Sequence, residues 1–167
     1  MLRMLSSIIF GVFFASTFVI GQQPEQAPAA PVPPSIASAR SIFVSNAGEE
    51  SNFQLVSSRW YGGGPNRAYN ELYAALKAWG KFELAAAPAD ADVVFEIGFN
   101  DKSETLAQLK LVILDAKTHT TLWTLTRYLQ VAGTAKNREK NYNLAMTALV
   151  TDLKSLVTPG SAPANPK

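Results

Sequence analysis

The chain has 167 residues, a formal net charge of +2 and no cysteine. Without cysteine it can form neither disulfides nor thiolate metal sites, and it cannot carry the lipid that bacterial lipoproteins attach to an amino-terminal Cys. Its 15 basic residues nearly balance its 13 acidic residues, so no broad positive field is available for nucleic acid or an anionic membrane surface.

The first twenty-one residues have the pattern of a secretory signal peptide. Arg3 precedes Ile8–Ile20, a run without a charged residue, and Val19 and Gly21 place compact residues at −3 and −1 of a cut. We therefore expect residues 1–21 to be removed on export. The remainder of the chain is expected to be periplasmic or secreted.

An uncleaved membrane anchor is the alternative for this segment. A spanning helix needs about 20 apolar residues, and the run from Met4 to Ile20 is shorter and contains serine and threonine. Arg3 would stay inside in either case, so the rest of the chain would still be exported. Contact with a membrane is expected only if the segment stays uncleaved.

Proline is concentrated near both ends of the remaining chain. We interpret residues 22–38 as a Pro/Ala-rich linker and residues 159–167 as a disordered tail, because such compositions favour extended, solvated chain. Residues 39–158 are then one domain by length.

Hydrophobic periodicity predicts five strands and two helices in this domain. The first helix follows Asn66, a candidate cap, and ends at Gly80; the second follows Asn137, also a candidate cap, and ends before Pro159. The predicted strands are Ser41–Val44, Lys81–Ala85, Ala91–Phe99, Leu106–Leu114 and Leu122–Val131.

The order β-α-β-β-β-β-α predicts an α+β fold, a two-layer sandwich with both helices on a mixed, mostly antiparallel sheet. Ser41–Val44 should lie parallel to a later strand, and the later strands should form an antiparallel meander. Trp79 and Leu149 are predicted to be buried where the helices meet the sheet.

Three motifs of the domain resemble a group of bacterial envelope proteins. They are Trp79–Leu84, Ala89–Phe95 and Leu109–Thr118 followed by Leu122-Trp123. This succession resembles the CsgG-like domains, the TolB amino-terminal domain and the penicillin-binding-protein activators. The chain departs from that group in lacking the lipid-attachment Cys and in carrying His119 where a glycine is usual. The resemblance implies a non-enzymatic role in binding partners.

The loop Trp60–Arg67 is one candidate partner-binding surface. Its three consecutive glycines precede a helix, as in phosphate-binding loops, but the Lys and Ser/Thr of a P-loop are missing. Trp60 and Tyr61 are residue types favoured as interface anchors, although such aromatics more often pack against a core. Arg67 ends this candidate surface.

Lys136, Arg138 and Lys140 form a second candidate surface at the start of the last helix. Cations at a helix amino terminus oppose the helix dipole, so their clustering can mark a contact surface. The alternative is a solvated basic turn partly offset by Glu139.

Catalytic, metal and cofactor sites are not expected. His119 is the only histidine and is predicted to lie in a strand turn, which leaves no Ser-His-Asp triad and no zinc site of two or three histidines. Asp90-Ala91-Asp92 could suggest a metal, but a turn before a strand explains it more simply.

The residues favour an exported, non-enzymatic envelope accessory protein that binds an envelope protein or a cell-wall component. The alternative is a periplasmic protein that binds a small ligand or lipid in a cleft between sheet and helices. A large apolar pocket would favour the alternative, and an exposed aromatic or apolar patch would favour the first hypothesis.

Overall fold

The computed structural model describes residues 30–51, 61–101 and 107–158. The predicted signal segment, Trp60 and the predicted tail lie outside these ranges. All elements below belong to one unit of the chain, Pro31–Lys167.

A short helix, α1 (Pro34–Ser38), lies within the range predicted to be linker. Proline begins it, which is favourable because its missing N–H has no helical partner at that position. Ile36 is only 1% exposed and belongs to the core. The packed part of the chain therefore begins before residue 39, and the prediction of linker through residue 38 is wrong for α1.

The first strand is longer than the apolar run that predicted it. β1 spans Ser41–Ser51 rather than Ser41–Val44 and carries a register shift between Asn46 and Gly48. Gly48 has a φ of 77°, which favours glycine, and its N–H donates to Asn46 Oδ1 over 2.9 Å. This bulge lets β1 continue through a polar segment that has no clear strand signal.

Helix α2 (Arg67–Trp79) begins and ends where the sequence predicts. Asn66 precedes it, but its Oδ1 accepts from Asn46 Nδ2 over 2.8 Å rather than from the helix. Gly80 ends it in the left-handed conformation, and the Gly80 N–H donates to Leu76 O over 3.1 Å. Trp79 was predicted to be buried; it is partly buried, packing against the core edge-to-face with Phe82.

The sheet confirms the predicted α+β two-layer architecture. After β2 (Glu83–Leu84) and a 3₁₀ turn come β3 (Val93–Asp101), β4 (Gln108–Asp115) and β5 (Thr121–Tyr128). The strand order is β2-β1-β3-β4-β5. β1 is parallel to both β2 and β3, as predicted, while β3, β4 and β5 form the antiparallel meander.

Helix α3 (Ala135–Val157) begins earlier than predicted. Its cap is Thr134, whose Oγ1 accepts from the Asn137 N–H over 3.3 Å, so Asn137 lies inside the first turn and is not the cap. The predicted apolar stripe of α3 faces the sheet, and Leu149 is fully buried as predicted.

The core lies between one sheet face and the helices. Alternate strand residues point into it, among them Val44, Phe95, Leu111 and Ile113. Val131 is the exception: the sequence aligns it with the inward face of the last strand, but β5 ends at Tyr128 and Val131 is 62% exposed.

Candidate functional site

Arg67, at the start of α2, connects that helix to α3. Its Nε donates to Glu71 Oε1 over 2.7 Å, and its two Nη atoms each donate over 2.8 Å to the two carboxylate oxygens of Glu139. Nη2 also donates to Asn143 Oδ1 over 2.9 Å, and Nη1 donates to the carbonyl oxygen of Tyr61. An arginine has five N–H donors, so the structure gives each one an acceptor.

An aromatic cluster lies beneath this arginine. Tyr61 contacts Phe99 edge-to-face with ring centres 5.3 Å apart, and Tyr142 lies 5.8 Å from Phe99 and 6.4 Å from Tyr61. The guanidinium carbon of Arg67 is 3.8 Å from the Tyr142 ring centre. Tyr61 is 8% exposed, so most of its ring stabilises the domain rather than facing solvent.

The glycine loop closes over Arg67. Gly63 has a φ of 80°, and a Cβ built on it would lie 2.5 Å from Arg67 Cδ. Only glycine fits this close approach. Because the Arg67 donors are directed to carboxylate, amide and carbonyl oxygens, they are not available to an incoming phosphate. The loop therefore packs Arg67 in place and does not form a phosphate cradle around that side chain.

A small cavity remains between the loop, α2, α3 and the sheet. Its volume is about 10 Å³, and its lining includes Glu49, Tyr61, Arg67 and Tyr142. The Tyr142 hydroxyl is buried without a hydrogen-bond partner. Burial, followed by the negative charge of Glu71, raises the pKa of Tyr142 well above its ordinary value. This volume is about the size of one water molecule, whereas pockets that bind small molecules measure hundreds of cubic ångströms.

The three cations predicted as a surface at the start of α3 take different positions. Arg138 turns back and donates from Nη1 to the carbonyl oxygens of Ala132 and Gly133, over 3.3 and 3.2 Å. Lys136 and Lys140 are exposed, and neither forms an ion pair or side-chain hydrogen bond with the described residues. Glu139, expected to offset these charges, binds Arg67 instead, which lowers the pKa of its carboxyl.

Leu144 lies beside the two exposed lysines and forms a surface with them, and the sequence analysis did not include it. It is 57% exposed and lies one turn beyond Lys140 on α3. A shallow surface depression is lined by Lys136, Glu139, Lys140, Asn143, Leu144 and Thr147. We call Lys136, Lys140 and Leu144 the α3 flank. The sequence did contain a signal for its exposure, because Leu144 falls outside the apolar stripe of this helix.

Tyr61 and Arg67 are not part of the exposed α3 flank. They are buried or nearly buried around the residues that hold α3, while Lys136 and Lys140 point to solvent. Trp60 lies outside the described residues. The predicted partner-binding set therefore divides into supporting residues and exposed residues, and its role in binding stays a prediction.

The remaining polar candidates have structural roles. Asp92 Oδ2 accepts from the N–H groups of Ser41 and Arg40 over 3.0 and 2.8 Å, and these bonds lower its pKa. His119 lies in the β4–β5 turn with a φ of 55°. Asp115 Oδ1 accepts from Thr118 N and Lys117 N in the same turn, over 2.8 and 3.0 Å.

Neither a metal cluster nor a membrane helix is found in the part of the chain that the structure describes. Across residues 30–51, 61–101 and 107–158, no three metal-ligating side chains come together. In the same ranges, no helix combines the length and apolar character needed to cross a membrane.

Comparison with known proteins shows only a distant likeness. No family model matches the chain, and no curated protein matches it. A solved structure of the LpoB carboxy-terminal domain from Salmonella enterica aligns at 15% identity and a TM-score of 0.39, covering 55% of this chain and 84% of that one.

Two further solved structures give slightly higher scores. A Xanthomonas campestris protein of the DUF330 family aligns at 14% identity and a TM-score of 0.42, covering 69% of this chain and 81% of that one. A PelC dodecamer from Paraburkholderia phytofirmans gives the same identity and score, covering 71% of this chain and 89% of that one. At these identities and TM-scores the three structures carry no conclusion about the function of this chain.

Proposed function

We propose that this chain is an exported, non-enzymatic accessory domain of the bacterial envelope that binds an acidic, partly apolar partner through the α3 flank. The observation that carries the proposal is the grouping of Lys136, Lys140 and Leu144 on one exposed face of α3. Two lysines without partners among the described residues favour carboxylates, and Leu144 adds exposed apolar area one turn beyond Lys140.

The packing around Arg67 supports this surface by fixing α3. The bidentate contact to Glu139 and the bond to Asn143 both lie on the helix turns that carry Lys136 to Leu144. A helix held in this way loses little freedom when a partner binds, which lowers the entropic cost of association. The nearly buried Arg67 thus acts through positioning and not through contact with the partner.

A small-ligand function has less support. The cavity between sheet and helices is about 10 Å³, too small for any ligand larger than water. The α3 flank is shallow and open, which suits a macromolecular surface better than an enclosed ligand.

Affinity capture from intact bacterial envelopes tests the proposal. A photo-crosslinking residue at position 144 should capture an envelope component, and Lys136→Gln with Lys140→Gln should reduce that capture several-fold. The loss should be smaller at high salt, because screening already weakens the contact in the wild type. A crosslinker at Ala78, an exposed position of α2, serves as the positional control.

Lys77→Gln with Lys81→Gln is the matched charge control, because it removes the same charge from exposed positions elsewhere. The K136Q/K140Q variant should be as stable as the wild type, or slightly more stable, since cations near a helix start oppose its dipole. Equal capture by both double variants would show that the α3 flank is only a solvated helix face.

A further inference from the structure

Among the strands that the structure describes, β5 lies at the edge of the sheet, and we call its outer side the open edge. β5 is last in the strand order and pairs only with β4 among the described strands. Leu129 N donates to Ala107 O over 2.8 Å, and this pairing continues in register through Leu109↔Arg127 and Leu111↔Leu125. In an antiparallel ladder the intervening residues direct their backbone groups away from the neighbouring strand. Those residues are Thr124, Thr126 and Tyr128.

Proline and lysine, which often prevent strand pairing, are missing from Thr124–Tyr128, and the bulge of β5 between Thr121 and Trp123 lies outside this stretch. The one charged side chain of β5 is Arg127. Arg127 points to the helix face, where Nε donates to Asp152 Oδ2 over 2.5 Å and Nη2 contacts the second carboxylate oxygen. The edge is therefore electrically neutral. On the opposite face, the Tyr128 side chain is 66% exposed.

We propose that β5 pairs antiparallel with β5 of a second copy of this chain, about a twofold axis at Thr126. In this register Thr126 faces the partner's Thr126, and Thr124 faces the partner's Tyr128. All three outward-directed residues then meet outward-directed residues, so each pair exchanges two backbone hydrogen bonds. The result is a continuous sheet across both copies.

The side chains of β5 are compatible with a second β5 strand as the pairing partner. Tyr128 would lie beside the partner's Thr124 on the sheet face away from the helices, an aromatic and β-branched pair of the kind that stabilises neighbouring strands. On the helix face Arg127 would lie beside the partner's Leu125, so no like charges oppose each other. A twofold contact also closes on itself and leaves no further open β5 edge.

Single cysteines test the register, since the chain has none of its own. In Thr126→Cys the two sulfur-bearing residues would face each other with Cα atoms about 5.5 Å apart, within disulfide range. In Thr124→Cys they would be four residues apart along the strands, about 13 Å, and could not bond. Mild oxidation of the full chain in detergent should therefore yield a disulfide dimer for T126C and not for T124C. Equal crosslinking of the two variants would overturn the proposal.

Sedimentation equilibrium measures association without a crosslink. The wild-type full chain should dimerise, and Thr126→Lys should weaken that dimer at least tenfold, because two lysines would meet on the axis. Thr124→Lys, which meets a tyrosine, should weaken it much less. Circular dichroism should show the same fold in all three proteins. A wild-type chain that stays monomeric, or equal weakening by T126K and T124K, would contradict the twofold pairing.

Discussion

Arg67 covers the ring of Tyr142, with the guanidinium carbon 3.8 Å from the ring centre, while the same side chain binds Glu139 through two hydrogen bonds. Tyr142 and Glu139 both belong to α3, and Arg67 begins α2. One side chain therefore fixes the contact between the two helices. Its stacking and its planar pair of donors require arginine, not merely a positive charge.

Arg67→Met should lower the free energy of unfolding by about 1.5–3 kcal/mol, the range for hydrogen bonds to charged groups. Glu71 and Glu139 would then lie close together without their shared cation. Urea denaturation measures the loss. Arg67→Lys is the control, and it should recover only part of the stability because lysine cannot make the bidentate contact. A change below about 0.5 kcal/mol in R67M would show that the contacts are not coupled to folding.

Lowering the pH should remove the contribution of Glu139 to the free energy of unfolding. Arg67 lowers the pKa of this carboxyl in the folded state, so its stabilising effect is present above the unfolded value of 4.5 and is lost as pH falls through the folded value. The stability difference between the wild type and Glu139→Gln should therefore be largest near neutral pH and shrink in acid. Denaturation curves across pH measure it. In an R67M background the difference should be small at every pH, and a persistent difference there would contradict this origin.

Tyr142→Phe should leave the free energy of unfolding unchanged or raise it by up to about 1 kcal/mol. The Tyr142 hydroxyl is buried and has no hydrogen-bond partner, so its removal relieves a desolvation cost without creating a large void. Tyr142→Ala is the control and should lose about 3–5 kcal/mol, as large aromatic truncations do. A clear loss in Y142F would instead reveal a water molecule bound to this hydroxyl in the adjoining cavity.

His119→Gly should raise the free energy of unfolding by about 0.5–1 kcal/mol. His119 has a φ of 55°, where a side chain is strained and glycine is not. Thermal and urea denaturation both measure the change. His119→Val should have the opposite sign, because a β-branched residue tolerates this conformation least. If both variants match the wild type, the turn adjusts its backbone at no cost.

Regular periodicity predicted the elements that pack one apolar face against the core. The β3–β4–β5 meander and the buried stripe of α3 follow directly from apolar spacing, and Gly80 correctly marked the end of α2. Elements formed by local hydrogen bonds were missed or misplaced. The cap is Thr134 rather than Asn137, because the helix begins three residues earlier than predicted, and α1 is too short to show a period.

The candidate site was predictable only as a set of residue types. Sequence spacing placed Arg67 with Trp60 and Tyr61, but it could not show that Glu139, 72 residues further on, would bind it. Nor could it separate Arg138, which binds loop carbonyls, from the two solvated lysines beside it. Those assignments depend on how α2 and α3 meet, and that is decided by long-range packing.

The interior place of β1 determines the order in which the sheet can be assembled. β1 comes first among the strands in sequence, yet its main neighbour is β3, and Ile42 meets Val93 about fifty residues later. The β3–β5 meander closes through short connections, whereas β1 must await a distant partner. We therefore expect the meander to form early and β1 to insert late, between β2 and β3. In that order of assembly, Ile42 and Val44 remain apolar groups without a neighbouring strand until the meander has formed.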